Sequence, residues 1–170
     1  VKDALWALEN DRLRTAREVE VLAGLQSPPE AVVGYLAIQQ ALSAIDRMEV
    51  RGRDSAGVGV VVWGHGVTAE SLPTGTALRG RNDDPLFVSR SLRVVGDVWT
   101  FVYKAAAEIG ELGDNTRAMR RQMLEDDVLR HVISQPGARV SIIGHTRWAS
   151  VGIISEPNAH PVTGEEVGRP

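Results

Sequence analysis

Residues Gly57 to Trp63 read Gly-Val-Gly-Val-Val-Val-Trp, and this run is the strongest indication of the fold class. A short run this rich in β-branched residues is typical of a buried strand. It follows a predicted helix whose apolar stripe, from Tyr35 to Met48, suits packing on a sheet. A strand of this kind next to such a helix predicts a protein in which helices cover a sheet.

Outward from this stretch, hydrophobic periodicity divides the rest of the chain. The predicted helices are Val1–Leu25, a second helix from Ser27 or Pro28 to about Val50, Val98–Leu112 and Thr116–Ile133. The predicted strands are Gly57–Trp63, a hairpin partner at Val67–Leu72, Leu86–Val94 and Arg139–Gly144. Residues 73–84 are rich in turn-forming residues and predict a loop. The pattern indicates an α+β protein, with strands before and after an all-helical middle.

Composition places the chain among ordinary globular proteins. Its 170 residues are 43% hydrophobic and 24% charged, enough for one domain with a real core. The formal charge of −3 argues against a nucleic-acid partner, because phosphate contact normally needs a basic face. No apolar run approaches the roughly 18 residues of a membrane-spanning helix, and charged residues from Asp3 to Arg12 interrupt any signal-peptide core. We therefore expect a cytoplasmic protein without a membrane partner.

Cysteine is absent from the sequence, which excludes disulfides and thiol chemistry within these residues. None of the four histidines pairs with another at the i, i+4 spacing of a helical metal site. We expect neither a metal nor another cofactor.

A sharply polar stretch, Arg51 to Gly57, joins the second helix to the buried strand. Such a junction places side chains at a sheet edge, where sites are often built. Local chemistry alone favours a plainer interpretation, in which Gly52 caps the helix and an Asp-Ser turn follows.

A second informative segment is Gly144 to Ser150, Gly-His-Thr-Arg-Trp-Ala-Ser, which continues to Asn-Ala-His-Pro at 158–161. An arginine beside a tryptophan at a strand end can clamp a carboxylate, because the guanidinium fork matches a carboxylate bidentately while the ring covers it. Gly152 and Pro157 indicate a shaped loop that closes over a small ligand. On these residues alone, a surface loop with one exposed aromatic is an equal alternative.

Together the two segments resemble the class II, or N-terminal-nucleophile, glutamine amidotransferases. The resemblance is greatest to the glutaminase domain of the glutamine–fructose-6-phosphate amidotransferase family. That family has Arg-Gly-Tyr-Asp-Ser-Ala-Gly, from which only Arg53 differs here. It also has His-Thr-Arg-Trp-Ala-Thr, in which Ser150 replaces the last threonine, and Asn-Ala-His-Pro follows at the family spacing. Two separated motifs in the right order make the resemblance specific.

The resemblance implies roles for the residues of the second segment. Arg147 would bind the glutamine α-carboxylate, and Trp148 would belong to a loop that closes over the substrate. Ser150 would offer glutamine a hydroxyl, since serine keeps the donor and acceptor of threonine. His160 with Asn158 would shape the same loop.

For the first segment, the resemblance places Arg51 and Gly52 at the catalytic centre near the nucleophile, while Asp54 and Ser55 are interpreted as holding the turn. In the family an N-terminal cysteine thiolate attacks the glutamine side-chain amide and ammonia leaves. The ammonia passes to a separate sugar-phosphate isomerase domain of the SIS type. Glutamine and this domain are therefore the partners that the resemblance implies.

The chain also departs from the family pattern. It begins at Val1 without a cysteine, it ends at Pro170 before the family's oxyanion-hole Asn-Gly pair, and Val151 replaces a histidine of the closing loop. We expect the missing cysteine and the Asn-Gly pair in the parent protein, and no glutamine hydrolysis by this chain alone.

These departures define the expected architecture. Residues 1–170 would form a single partial glutaminase domain, a partial αββα sandwich of the Ntn-hydrolase type that lacks its first strand and its C-terminal part. Residues 1–25 would be an extra N-terminal helix, and residues 95–137 a helical insertion.

Three functional interpretations follow. The first is the ammonia-donating, glutamine-hydrolysing part of an isomerising glutamine–fructose-6-phosphate aminotransferase. The second is a non-catalytic homologue that binds glutamine or a partner and regulates another activity. The third is an interaction module whose added helices dock another subunit, which allows a homo-oligomer.

Overall fold

The computed structural model describes residues 1–52, 54–72, 78, 80–81, 84, 86–106 and 111–164; Arg53 and most of the predicted 73–84 loop lie outside this set. The helical elements are α1 (Lys2–Ala7), a π-helical turn (Leu8–Leu13), α2 (Arg14–Ala23), α3 (Pro29–Met48), two 3-10 turns (Glu49–Arg51 and Ala69–Ser71), α4 (Asp114–Leu124) and α5 (Asp127–Ile133). The strands are β1 (Ser55–Trp63), β2 (Leu92–Val95), β3 (Val98–Ala105) and β4 (Arg139–Arg147).

The four strands form one antiparallel sheet in the order β2-β3-β1-β4. β1 is paired on both sides, with β3 along one edge and β4 along the other. The register with β4 runs from Ser55 opposite Arg147 to Trp63 opposite Arg139. Double pairing explains why the Gly-Val run is buried along nearly its whole length.

The core lies between one face of this sheet and the helices. Successive residues of a strand point to opposite faces, and the even-numbered residues of β1 from Ala56 to Val62 belong to the core. α3 contributes its apolar stripe to the same cluster, through Tyr35, Ile38, Leu42 and Ile45. α4 and α5 add Met119, Met123 and Leu129, and α2 packs against α3. The coarse prediction of a mixed α/β domain is confirmed.

The first part of the chain follows the sequence prediction. The helix predicted at 1–25 is present over Lys2–Ala23, although its middle widens into the π-helical turn. α3 confirms the second helix, and β1 and β4 confirm the strands predicted at 57–63 and 139–144. Each strand is longer than predicted, because pairing with its neighbour carries it into the polar motif.

The middle of the chain corrects the prediction. The helix predicted at 98–112 is wrong, since Val98–Ala105 forms β3. Trp99, Phe101 and Tyr103 alternate along this strand and are completely buried, and aromatic residues at a period of two favour a pleated, buried surface. The region 95–137 is therefore not purely helical: it supplies an inner strand of the sheet before α4 and α5.

Three smaller predictions also change. The predicted hairpin partner at 67–72 contains a 3-10 turn in place of a strand, and the strand predicted at 86–94 begins only at Leu92. The single helix predicted at 116–133 is divided, because Asp126 caps α5 by accepting a hydrogen bond from the Leu129 N–H. None of the helices formed by the described residues combines the length and the apolarity that a bilayer crossing requires.

Candidate functional site

The two motif segments meet where β1 begins and β4 ends. Ser55 lies opposite Arg147 in the sheet register. Just before β1, the chain passes close to β4 at Gly52, where an added Cβ would lie 3.3 Å from the Arg147 carbonyl carbon and 3.4 Å from the Trp148 nitrogen. A glycine is therefore what allows the first motif to lie against the main chain of the second.

A hydrogen bond joins the two motifs directly. The Ala149 N–H donates to a carboxylate oxygen of Asp54 at 2.7 Å. Asp54 thus stabilises more than its own turn, because it holds the loop after Trp148 against the start of β1. Ser55 is completely buried, and its hydroxyl has no hydrogen-bond partner among the described residues.

Arg147 organises the loop that follows it. One guanidinium nitrogen donates to the Val151 carbonyl at 2.8 Å and another to the Asn158 carbonyl at 3.4 Å. The Asn158 side chain in turn donates to the Ile153 carbonyl at 3.0 Å. The guanidinium is therefore engaged with main-chain oxygens that a carboxylate ligand would have to replace at least in part.

The other predicted site residues near Arg147 are more open. Trp148 is 71% exposed, so most of its indole faces solvent. Ser150 is exposed, with its N–H bonded to the Trp148 carbonyl at 3.0 Å. Arg51 is exposed at the end of the first 3-10 turn.

His160 lies on the face of the sheet opposite the core, in the segment that Arg147 contacts through Asn158. The segment Asn158–Pro161 runs across β1 so closely that a Cβ on Gly57 would lie 2.1 Å from the His160 carbonyl oxygen. At Gly59 the nearest atom, a ring carbon of Pro161, would be 3.5 Å away. The two glycines of the Gly-Val-Gly run leave a flat strip for this segment.

The strip at Gly57 gives a matched prediction. Gly57→Ala should lower the free energy of unfolding by about 1–3 kcal/mol, since the new methyl group overlaps main-chain atoms that must move. Gly59→Ala should be neutral or slightly stabilising, since 3.5 Å is ordinary contact and alanine restricts the unfolded chain. Urea unfolding measures both. Equal stabilities of the two variants would contradict the close approach of His160.

His160 also contacts His145, with ring centres 4.4 Å apart. Burial, the neighbouring His160 and the charge of Arg147 lower the pKa of His145. Both histidines belong to the second motif segment, and the fold brings their rings together.

Lys104, on β3, is a residue that the sequence prediction missed. It is completely buried, its ammonium has no hydrogen-bond partner among the described residues, and its Cγ would lie 3.1 Å from a Cβ on Gly57. Burial lowers the pKa of Lys104 to about 8, against the opposing charges of Asp84 and Glu156. Alternation along β3 turns this lysine to the face opposite Trp99, Phe101 and Tyr103, and pairing with β1 places it next to Gly57. The helix prediction for the same residues hid this alternation.

Lys104 predicts a pH dependence of stability. A folded-state pKa of about 8, below the ordinary 10.5, means that the unfolded chain binds more protons between these values, so stability rises with pH there. From roughly pH 8 to 9.5 the wild-type protein should gain about 1–2 kcal/mol relative to Lys104→Met. Lys2 is the only other lysine in the sequence, so Lys2→Met, at an exposed position, is the control and should keep the rise. Parallel stability curves for the wild type and Lys104→Met would exclude this effect.

A cavity of about 400 Å³ opens beside Gly52. The residues lining it are Glu49, Val50, Gly52, Asp54, Leu112 and Trp148. Glu49 is 1% exposed, and burial raises its pKa although a carboxylate oxygen accepts the Gly113 N–H at 2.6 Å. A buried carboxyl group beside a cavity is a candidate acid or base. In the sequence, the spacing of four residues from the core residue Ile45 to Glu49 was the signal that could have indicated this burial.

Gly52 and Trp148 therefore line a cavity at one end of β1 and β4, and the side chain of Arg147 at the same end contacts the segment that carries His160. Comparisons with protein families, with curated proteins and with solved structures found no match to this chain.

Proposed function

We propose that this chain is the glutamine-hydrolysing, ammonia-donating part of an enzyme like the isomerising glutamine–fructose-6-phosphate aminotransferases. The observation that carries the proposal is the meeting of the two motifs: Gly52 lies against the main chain of Arg147 and Trp148, and Asp54 accepts a hydrogen bond from Ala149. Segments that resemble a single active site, yet lie far apart in sequence, would have no reason to adjoin if the resemblance were accidental.

Arg147 is the residue that we assign to the α-carboxylate of glutamine. A guanidinium has five N–H donors in a fixed fork. It can therefore donate to a carboxylate while keeping one of its two loop contacts. Because those contacts are the carbonyls of Val151 and Asn158, carboxylate binding would change the hydrogen bonding of the loop between them. Glutamine binding and loop closure are then coupled through one side chain, and the exposed Trp148 lies next to that side chain in the sequence.

The cavity beside Gly52 is where we place the glutamine side chain. Since the sequence contains no cysteine, we place the nucleophilic thiolate on a cysteine outside these residues, with its sulfur near Gly52. The α-amino group of that cysteine takes the thiol proton, and the thiolate attacks the amide carbon. The C–N bond breaks as the proton passes to the departing nitrogen, so ammonia leaves and a glutamyl thioester remains, which water hydrolyses to glutamate and the free thiol. In this proposal glutamine is the substrate, the ammonia passes to a sugar-phosphate isomerase domain of the parent protein, and the protein is cytoplasmic.

Covalent labelling of the parent protein tests the proposal. A glutamine-analogue electrophile should form one adduct, which peptide mass spectrometry should locate at an N-terminal cysteine, and excess L-glutamine should slow its formation. A parent protein without that cysteine, or with labelling that L-glutamine leaves unchanged, would exclude the enzyme.

The absence of cysteine from this chain is the observation that favours a second candidate, a non-catalytic domain that binds glutamine and regulates a partner. In both candidates Arg147 binds the carboxylate of glutamine. Only the enzyme would form a covalent adduct with the glutamine-analogue electrophile. Calorimetric binding of L-glutamine to a parent protein that forms no adduct would establish the regulatory domain in place of the enzyme.

A further inference from the structure

The first helix of the chain has an apolar surface without a partner in the structure. No residue of α1 is buried. Leu5 is 59% and Trp6 is 62% exposed, and Leu8, at the start of the π-helical turn, is 46% exposed. Three large apolar side chains on one short stretch of helix form the kind of surface that marks a contact site.

A groove that suits a helix lies farther along the same helical hairpin. It has a volume of about 830 Å³ and lies between α2 and α3. Its apolar lining includes Leu13, Ala16, Leu25, Val32 and Leu36. An apolar groove between two packed helices is a common receptor for a third, amphipathic helix.

The charges beside the exposed helix and those along the groove are complementary. Apart from Asp11, which pairs with Arg47 within the chain, the charged residues of the groove are Arg12, Arg17 and Glu20, and the helix presents Lys2, Asp3 and Glu9. Within the described part of the chain, no hydrogen bond or ion pair engages the side chains of these six residues. Among these six residues, the helix thus carries two acidic side chains and one basic one, and the groove carries two basic side chains and one acidic one.

The order of these charges selects one arrangement. When two copies of one helix pack antiparallel, the residue numbers of facing positions add to a nearly constant value. Among these six residues, the pairs whose numbers add to between 20 and 22 are Lys2 with Glu20, Asp3 with Arg17 and Glu9 with Arg12. Asp11 and Glu18, which the same sums would set against Glu9 and Asp3, are engaged within the chain by Arg47 and by Arg120. The same register sets Leu8 against Leu13 and Leu5 against Ala16, so apolar positions also meet.

We propose that a second copy of this chain occupies the groove, with α1 of each copy docked between α2 and α3 of the other. The register places the two-fold axis at the π-helical turn, between Asn10 and Asp11 of the two copies. Every contact then occurs twice, as in an isologous interface. In this assembly the π-helical turn lies at the two-fold axis. π-helical turns are rare and occur frequently at functional sites.

Charge reversal in two separate variants tests the dimer. One variant carries Arg12→Glu with Arg17→Glu, and the other carries Asp3→Lys with Glu9→Lys. In either variant alone, α1 and the groove have like charges, so the dissociation constant should rise at least ~10-fold, since like charges in an interface are strongly unfavourable. Mixed in equal amounts, each variant offers the other an oppositely charged groove, and the dimer should return.

Size-exclusion chromatography with light scattering reads out the mass across a concentration series. We expect twice the chain mass of 18.4 kDa for the wild type and for the mixture, and a single chain mass for each variant alone. Arg121→Glu with Arg139→Glu changes the net charge equally at exposed positions outside the groove, and should leave the dimer intact. A monomeric wild type, dimeric single variants or a monomeric mixture would each overturn the proposal; circular dichroism verifies that every variant is folded.

Discussion

Asp126→Ala should lower the free energy of unfolding by about 3–5 kcal/mol, the usual cost of removing one partner from a buried ion pair. Asp126 is 4% exposed, and its two oxygens receive the fork of Arg81 at 3.0 and 2.6 Å. Tyr103, completely buried on β3, donates its hydroxyl to the same carboxylate at 2.7 Å. The Leu129 N–H at the start of α5 donates to it at 3.1 Å.

The size of this effect comes from what the substitution leaves behind. The side chain of alanine cannot accept hydrogen bonds. Three donors therefore lose their acceptor together: the largely buried guanidinium of Arg81, the buried hydroxyl of Tyr103 and the Leu129 N–H at the start of α5. Burial tends to raise the pKa of Asp126, but the hydrogen bonds and charge of Arg81 lower it below its ordinary value. The stabilisation is therefore present above the unfolded-state pKa and is lost as the pH falls through the folded-state pKa.

The neighbouring residue is a matched control for Asp126. Asp127 is also an aspartate in the first turn of α5, but its side chain is 87% exposed and its contact is a surface pair with Arg130 at 3.3 Å. Asp127→Ala should cost at most about 1 kcal/mol. Urea unfolding at neutral pH measures both variants, and equal losses would show that the buried carboxylate does not stabilise the fold as we describe.

On the proposed glutaminase function, Arg147→Ala in the parent protein should raise KM for glutamine on the order of 10²-fold, since a charge-assisted pair contributes ~2–3 kcal/mol. Arg147 also holds the loop through Val151 and Asn158, so loop disorder must be separated from loss of the carboxylate contact. Arg147→Lys serves this purpose because it keeps the charge and loses the fork. We expect it to restore part of the affinity.

Arg139→Ala is the control for general effects on the strand. Arg139 is on β4 as well, at the opposite end and exposed. Steady-state glutaminase kinetics of the three variants should show a raised KM for Arg147→Ala, an intermediate one for Arg147→Lys and a normal one for Arg139→Ala. An unchanged KM for Arg147→Ala would remove this residue from the glutamine site.

Local sequence was enough to predict the elements whose residues bury one regular stripe. α3 has apolar residues at helical spacing, and β1 and β4 are short β-branched or apolar runs, so their periods indicate their structure without further information. The positions of the two motifs relative to these elements were predictable for the same reason. Gly52 at the end of a helical segment and Arg147 at a strand end are both where the pattern places them.

Tertiary packing decided the rest. Residues 98–105 carry apolar and aromatic side chains that suit either a helix or a strand, and they become β3 because β1 offers an edge and the core accepts Trp99, Phe101 and Tyr103 on one face. Once that strand forms, Lys104 must point to the other face, next to Gly57. No local pattern contains this information, since it depends on pairing between residues far apart in the sequence.

Local patterns were enough to identify the residues of the candidate site, a glycine, an arginine and a tryptophan in two polar segments. Strand pairing and packing bring these segments together, place His160 over Gly57 and bury Asp126 against Arg81. The physical reason is that side-chain period is a local property, whereas strand order and the burial of a charged pair depend on the free energy of the whole packed chain.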